Sequence, residues 1–442
     1  MKVYLETFGC QMNVSDTERA ATQFRAAGYD LIDHESGADV VIFNTCSIRE
    51  RAAQKLYTRV GEIVHRHVGP LPVIGVTGCV AQLEGEAIFK QSPSVKVVAG
   101  TRATDRLPDL ISRALEGERR VLDLGEREPG ESWDVSIVER HSAQVGFVPI
   151  IEGCNKFCSY CIVPYSRGRE RSRSAAEIWD EVIKLRDNGF KEIHLIGQNV
   201  NSYRPQTEAG MEGIAGSTPF SRLLRMVAKT GIERIKFTTS FPRDFHPDIV
   251  AALNDHENLC NWVHLPAQSG NDRVLRAMRR GYTRADYLRR IESINNCRRK
   301  VSITSDLIVG YPGETEAEFA DTMSLVEQCR YEGLYIFKYS ERAGTPSAKI
   351  ADDVTKEQKT IRYMALERLQ RSIQTPIYQS LVGKTFEVLA EGRSTKNPTD
   401  LTGHTTCHKV VNFAAPPSLI GEVVKVVIET AKPNSLLGRL VA

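Results

Sequence analysis

The chain has 442 residues, 41% of them hydrophobic, and a formal net charge of +3. That length fits about three domains of ~150 residues, with apolar content ordinary for sizeable cores, and so small a charge decides nothing by itself about partners. No basic-then-apolar leader precedes the first strand-like run, so no secretory signal is apparent, and no apolar run approaches the ~20 residues of a membrane helix; a cytoplasmic protein is expected.

Residues 1–115 read as repeated strand-then-helix units. "KVYLETFG" precedes "SDTERAATQFRAAG", "ADVVIFNT" precedes "IRERAAQKLYTRVGEIVHRH", and "PVIGVTG" precedes "AQLEGEAIFKQ". Apolar strands alternating with amphipathic helices predict a parallel, helix-covered α/β sheet. Residues 116–142 are charged and broken by Gly and Pro; they read as a linker with one short strand.

From 143 to 372 the alternation continues on a larger scale. Six strands are predicted, in "QVGFVPIIEG", "KEIHLIGQN", "RIKFTTS", "NWVHLPAQS", "VSITSDLIVG" and "GLYIFKYS". Six units fit an open, partial (β/α) barrel, since a closed eight-unit barrel needs more chain. From 375 to 442 the period becomes two. "GKTFEVLAEG", "HKVVNFA", "GEVVKVVIETA" and "SLLGRLV" predict a small antiparallel β-barrel or sandwich, a type of module that often binds RNA.

Ten cysteines in a reducing compartment point to metal binding or catalysis rather than a disulfide framework. Cys10, Cys46 and Cys79 each end a predicted strand, 36 and 33 residues apart, which is about one unit each time. Ligands of open α/β sheets bind at that edge, so three cysteines on neighbouring strands could converge there. The bland alternative is three buried, unrelated thiols; structural zinc would want a fourth ligand that the sequence does not show. Cys154, Cys158 and Cys161, in "GCNKFCSYC", again supply three thiolates where four are usual. They follow the first barrel strand, at the edge where such barrels carry their sites. Polar residues recur at the same edge: Gln198, Asn199, Thr239, Ser240, Gln268, Ser269, Asp306, Ser340 and Glu341. They suit a small polar ligand, or are simply solvated loop ends. Cys260, Cys297, Cys329 and Cys407 show no partner pattern.

The run "EGCNKFCSYCIVPYSRGRERSR" resembles radical S-adenosylmethionine (SAM) enzymes. "TFGCQMNVSDTE", "FNTCSIRERAAQKL", "LIGQNVNSY", "HLPAQSGNDRVLRAMRRGYTR" and "DLIVGYPGET" extend the resemblance to the MiaB family of tRNA methylthiotransferases, in order and over nearly the whole chain. The resemblance implies three domains: an N-terminal methylthiotransferase domain (1–115), a radical SAM core (143–372) and a C-terminal TRAM barrel (375–442). It implies two 4Fe–4S clusters, one held by Cys154, Cys158 and Cys161 with SAM on its open iron, and an auxiliary one held by Cys10, Cys46 and Cys79. It implies reductive cleavage of SAM to a 5′-deoxyadenosyl radical, then sulfur insertion and methylation at C2 of N6-isopentenyladenosine at position 37, next to the tRNA anticodon. A one-electron donor such as flavodoxin or ferredoxin, a sulfur donor and a monomeric state are expected with it. Tyr160, Gln198, Ser240, Gln268 and Gly310 are the candidate SAM pocket. For Tyr160 the alternative is a packed core ring, and for Gly310 and Gly313 a plain turn.

Arginines crowd "RGRERSR" and "RVLRAMRRGYTRADYLRR", where Arg276, Arg280 and Arg284 recur four apart and form a stripe if one helix persists past Gly281. Such patches suit phosphate backbones, or are surfaces paired with acidic neighbours. Arg167, Arg169, Arg280, Arg393 and Lys396 are the RNA-contact candidates, with Lys409 adding charge. The last domain departs from the TRAM pattern at His404 and His408. A His404 facing RNA would change charge near neutral pH. The rival readings are a sister methylthiotransferase, acting on a ribosomal-protein aspartate or on threonylcarbamoyladenosine in tRNA, and a non-catalytic RNA-binding protein holding zinc.

Overall fold

The computed structural model describes residues 1–47, 52–67, 69–125 and 139–441. Two compact units are present. One comprises Met1–Ser142, Glu152–Asn155 and Cys161–Arg171; the other comprises Ala143–Ile151, Lys156–Tyr160 and Ser172–Ala442.

The first unit is built on six strands: β1 (Lys2–Phe8), β2 (Asp30–Ile32), β3 (Val40–Thr45), β4 (Val73–Gly78), β5 (Val95–Ala99) and β6 (Val121–Asp123). All pair in parallel, in the order β2-β1-β3-β4-β5-β6. Strand β6 is the short strand expected within 116–142; of that stretch, 126–138 lie outside the described residues. Every residue of β3 is buried, as a strand covered on both faces requires. Val41 and Phe43 pack with Leu56, Val60 and Ile63 of the helix Ala52–Arg66. Val40 and Ile42 pack on the other face with Ala20 and Phe24 of the helix Gln11–Ala26 and with Leu107, Leu110 and Ile111. The strand order reverses at β1, which lies between β2 and β3. That makes the β1/β3 boundary a topological switch point, where the crevice for ligands opens beyond the strand C-termini.

The second unit carries the six expected core strands: β7 (Val145–Pro149), then, after the two-residue ribbon β8 (Ile151–Glu152) and β9 (Arg171–Ser172), β10 (Glu192–Ile196), β11 (Arg234–Phe237), β12 (Trp262–His264), β13 (Ser302–Val309) and β14 (Gly333–Lys338). Parallel pairing gives β7-β10-β11 and β12-β13-β14. Hydrogen bonds from Cys260 N–H to the Ile235 carbonyl (2.8 Å) and from Ser240 N–H to the His264 carbonyl (3.2 Å) join the two triplets. Among the described residues β7 and β14 have a strand on one side only, so the barrel is open. Four of its helices start on Ser/Thr caps with an acidic or amide residue three places on. Ser174 with Glu177, Thr283 with Asp286, Thr315 with Glu318 and Thr355 with Gln358 all close capping boxes, each satisfying two otherwise orphaned amides.

The C-terminal sequence forms a closed barrel, β15 (Thr385–Arg393), β16 (Asp400–Thr405), β17 (Val410–Ala414), β18 (Val423–Ala431) and β19 (Leu436–Leu440), in the order β15-β16-β17-β19-β18. It has five strands, one more than expected. Strand β16, "DLTGHT", turns Leu401, Gly403 and Thr405 inward, and one apolar residue in three leaves no visible alternation. Gly403 sits there because a Cβ would lie 1.9 Å from the Leu389 carbonyl oxygen. The pairing of β17 with β19 is parallel, so the barrel is not wholly antiparallel. The helix Lys356–Gln379 runs through the boundary expected near 372–375 and contributes Tyr378 to the barrel's core.

Candidate functional site

Register brings the N-terminal cysteines together. Phe8 pairs with Thr45, and Thr45 with Gly78, so Cys10, Cys46 and Cys79 leave three adjacent strand ends at one level. Cys10 caps the helix Gln11–Ala26 and Cys79 opens the helix Cys79–Glu84, where the positive helix end favours a thiolate. Cys46, itself buried, hydrogen-bonds Cys10. That bond, the nearby Arg167 and the amides of Asn13 and Met12 hold the Cys10 thiol down at about 5, against the effect of burial. Asn13 and Asn44 were not singled out by the sequence reading. Asn13 Oδ1 accepts from the Cys10 amide at 3.3 Å, and its Nδ2 donates to Asn44 Oδ1 at 2.9 Å. Asn44 in turn donates to the Asn13 carbonyl at 2.9 Å, so this buried pair ties the Cys10 helix to β3.

The CxxxCxxC loop follows β8. Gly153, at φ +78, brings it within reach of the opposing backbone, since a Cβ would lie 2.2 Å from the Arg169 carbonyl oxygen. The Cys154 amide donates to the Gly168 carbonyl at 3.1 Å. The residues between the cysteines are anchors. Lys156 Nζ pairs with Asp244 at 2.5 Å. Ser159 Oγ donates to the Ala277 carbonyl at 2.8 Å and lies 2.9 Å from the Tyr311 hydroxyl. Cys158, 7% exposed, has its Sγ 3.4 Å from Arg280 Nη1.

The barrel's strand ends hold a set of polar atoms without partners. Gln198 Oε1, Ser240 Oγ and Gln268 Oε1 are buried and accept no hydrogen bond, although such groups cost roughly 1–3 kcal/mol each when left unmade. Thr239 and Gln268 also hold left-handed backbone, φ +68 and +70, a conformation uncommon for side chains of their kind and concentrated at functional sites. Tyr160 packs half-buried beside Met278, Tyr311 and Tyr339, with its hydroxyl 3.4 Å from Arg280 Nη1. Gly310 is a turn. Its φ is +72, its amide donates to Glu314 Oε2 at 2.7 Å, and a Cβ would strike Lys359, so it has no backbone donor left for a ligand. Below the mouth, Asp306 stands opposite Tyr335, and Ile308 opposite Phe337. Tyr335 and Phe337 share the face that carries Asp306 and His264, and both stay more than half exposed.

The arginine runs are divided by burial. Arg167 and Arg280 are 3% and 5% exposed, which removes them from phosphate contact and corrects the expectation for both. Arg167 pairs with Asp16 at 2.6 Å and with Glu152 at 3.5 Å. Arg173 pairs with Glu181 at 2.5 Å. The helix Asp272–Ala277 ends before Gly281, and Arg284 begins another, so no Arg276–Arg280–Arg284 stripe exists. Lys409 is buried against Glu332, which removes it from RNA contact, and His404, partly exposed, faces Glu391 at 2.7 Å and stacks on His408. Arg169, Arg393 and Lys396 are exposed.

Both thiol sets suit iron–sulfur ligation: each is made of thiols alone, carried on strand ends, helix starts and a backbone-anchored loop. Among the described residues no group of three or more His, Cys, Asp or Glu closes on a single metal ion. A four-iron cluster makes no such demand, since each thiolate takes a different iron. All ten cysteines are free of disulfides. No helix among the described residues is long and apolar enough to cross a membrane.

Family models match along the chain: the uncharacterized protein family UPF0004 over residues 2–100, the radical SAM superfamily over 148–326 and the TRAM domain over 379–441. The chain is 42% identical to a tRNA-2-methylthio-N(6)-dimethylallyladenosine synthase of Koribacter versatilis, over 99% of this chain and 98% of that protein. It is 44% identical to the one of Geobacter sulfurreducens, over 99% and 97%. Among solved structures, the radical SAM methyltransferase TsrM of Kitasatospora setae aligns with a TM-score of 0.57 at 16% identity, covering 78% of this chain and 76% of that one. The cobalamin-dependent radical enzyme OxsB aligns at 0.51 and 12%, covering 85% and 56%. These two likenesses concern the fold alone. The radical SAM match implies a 4Fe–4S cluster and SAM as cofactors. With two three-cysteine sets, an open six-strand barrel and a closed five-strand barrel in one chain, and with full-length identities of 42% and 44% to these two relatives, the protein belongs to the tRNA-2-methylthio-N(6)-dimethylallyladenosine synthase family.

Proposed function

We propose that the chain is a transferase that inserts sulfur at C2 of N6-isopentenyladenosine at tRNA position 37 and methylates it. The observation that carries this reading is the pair of separate three-thiol sets, each one ligand short of a closed site. Cys154, Cys158 and Cys161 would hold the radical SAM cluster and leave one iron open to SAM; Cys10, Cys46 and Cys79 would hold a second cluster with its own open iron. When bound, the first cluster and SAM supply the radical chemistry that activates an inert C–H bond. The protein's part is positional. Ser159, Lys156 and Arg280 fix the loop around Cys158, while Gln198, Ser240 and Gln268 present unpaired polar atoms to SAM. Tyr335 and Phe337 offer exposed aromatic faces on which a purine can stack. The TRAM domain and the tRNA-modifying relatives imply tRNA as partner, and Arg169, Arg393 and Lys396 are the exposed cations available to its phosphates. A flavodoxin- or ferredoxin-type donor, a separate sulfur source, action as a monomer and a cytoplasmic location belong to the same reading.

The test is mass spectrometry of tRNA nucleosides and ribosomal proteins from a strain lacking the gene. The reading expects N6-isopentenyladenosine to accumulate in place of its 2-methylthio form. Loss of methylthiolation from a ribosomal protein or from threonylcarbamoyladenosine, with prenylated tRNA unchanged, selects a sister enzyme instead.

A further inference from the structure

Of the run's three arginines in the first unit, Arg167, Arg169 and Arg171, Arg167 is the buried one. The helix Val163–Arg167 packs against the helix Cys79–Glu84, which Cys79 opens. On its other side the guanidinium reaches Asp16 at 2.6 Å, on the helix that Cys10 caps. The segment is pinned at two further points: Thr101 Oγ1 donates to the Ser166 carbonyl at 2.8 Å, and Arg102 Nη2 to the Arg167 carbonyl at 3.4 Å. Arg167 and Asp16 are 3% exposed and Glu152 is 6% exposed.

Burying a guanidinium is costly unless it is paired. Asp16 and Glu152 suffice to pair it, yet a simple structural pair would be equally well placed anywhere in the unit. This one bridges the two cysteine-bearing helices: its own helix packs on the one that Cys79 opens, and its guanidinium holds Asp16 of the one that Cys10 caps. In a buried site screening by salt is small, and a fixed charge acts strongly on thiolates carried by the neighbouring helices.

We propose that Arg167, oriented by Asp16 and Glu152, is the positioning cation of the Cys10–Cys46–Cys79 site and raises the reduction potential of the cluster held there. The inference rests on the two-cluster reading above. Net charge around an iron–sulfur cluster sets its potential, and a nearby cation favours the added electron. Removing Arg167 therefore lowers the potential. Removing the negative charge of Asp16, with Arg167 left in place, raises it. A purely structural pair gives no such opposed signs.

The experiment uses the full chain carrying Cys154→Ala and Cys158→Ala, reconstituted anaerobically with iron and sulfide, so that only the N-terminal site can hold a cluster. Iron and sulfide per chain are measured first; then EPR-monitored potentiometric titration compares this parent with added Arg167→Met, Arg167→Lys or Asp16→Asn. The expected result is a bound cluster in the parent, a lower midpoint in the Met variant, a midpoint near the parent's in the Lys variant, and a higher one in the Asn variant. A parent that binds no iron overturns the two-cluster reading itself. A parent that binds iron, with a midpoint unmoved by Arg167→Met, overturns the role of Arg167 alone. Should the Met variant lose its cluster, Asp16→Asn decides: an unmoved or lowered midpoint overturns the proposal, and a raised one supports it.

Discussion

Arg280 Nη1 lies 3.4 Å from Cys158 Sγ, while its Nη2 donates to the Pro266 carbonyl at 2.9 Å and its Nε to the Tyr282 hydroxyl at 3.0 Å. The guanidinium also lies over the Phe241 ring, 4.5 Å from its centre. Burial opposes its charge, but Tyr160, Tyr282 and Cys158 keep it firmly protonated. Arg280→Met is expected to cost about 2–3 kcal/mol of stability in denaturant titration, because the Pro266 carbonyl loses a buried donor. Iron bound by the CxxxCxxC loop should fall with it. The salt dependence of tRNA binding should not change, whereas loss of a phosphate contact would reduce its logarithmic slope by roughly one.

That slope is expected to change at the C-terminal barrel. Arg393 and Lys396 are exposed near one end of the β15–β16 hairpin, without a carboxylate partner among the described ion pairs. Arg393→Ala and Lys396→Ala should each weaken tRNA binding and lower the slope by about one, leaving iron content and SAM cleavage in the absence of tRNA intact. Unchanged slopes in filter-binding titrations between low and moderate salt would place the tRNA on another face.

The orphaned atoms at the barrel mouth separate binding from stability. Ser240→Ala and Gln198→Leu remove groups that no protein partner satisfies, so thermal unfolding without SAM should be unchanged or shifted slightly upward. SAM affinity by calorimetry should fall about tenfold for each, near 1.4 kcal/mol, the scale of one lost hydrogen bond. Loss of stability with affinity intact would mean that these atoms serve the fold rather than a ligand.

His408 gives the chain an acid-sensitive joint. Its ring lies 4.3 Å from that of Trp262, and burial, with Lys236, His404 and His194 nearby and Glu192 opposing them, pushes its pKa down to about 2. An unfolded histidine takes its proton near 6.5. Between those values the unfolded chain binds a proton that the native chain refuses, so stability falls as pH drops below about 6.5. About 1 kcal/mol should be lost by pH 5.5, and burial shifts His194 in the same direction. His408→Asn, which tolerates the φ of +62 at this position, should flatten the pH dependence measured by guanidinium unfolding.

The βα alternation, the six core strands and the placement of both cysteine trios at strand ends were legible because each rests on local periodicity. Strand β16 was not, because Gly403 and Thr405 fill its inner face without an apolar signal. The fate of the arginines was not legible either. Arg167 meets Asp16 across 151 positions and Arg280 meets Cys158 across 122, so their burial is decided by tertiary partners that no window of sequence contains. The same holds for Lys409, whose partner Glu332 lies 77 positions away.

The central claim is tested most directly by one reaction: the anaerobic, reconstituted protein with SAM, a low-potential reductant, a sulfide source and tRNA already carrying N6-isopentenyladenosine, read by mass spectrometry of the digested nucleosides. The account expects the 2-methylthio derivative of that nucleoside together with 5′-deoxyadenosine, and neither product from the Cys154→Ala/Cys158→Ala protein. An iron-loaded protein that cleaves SAM yet leaves the prenylated nucleoside unmodified would contradict it.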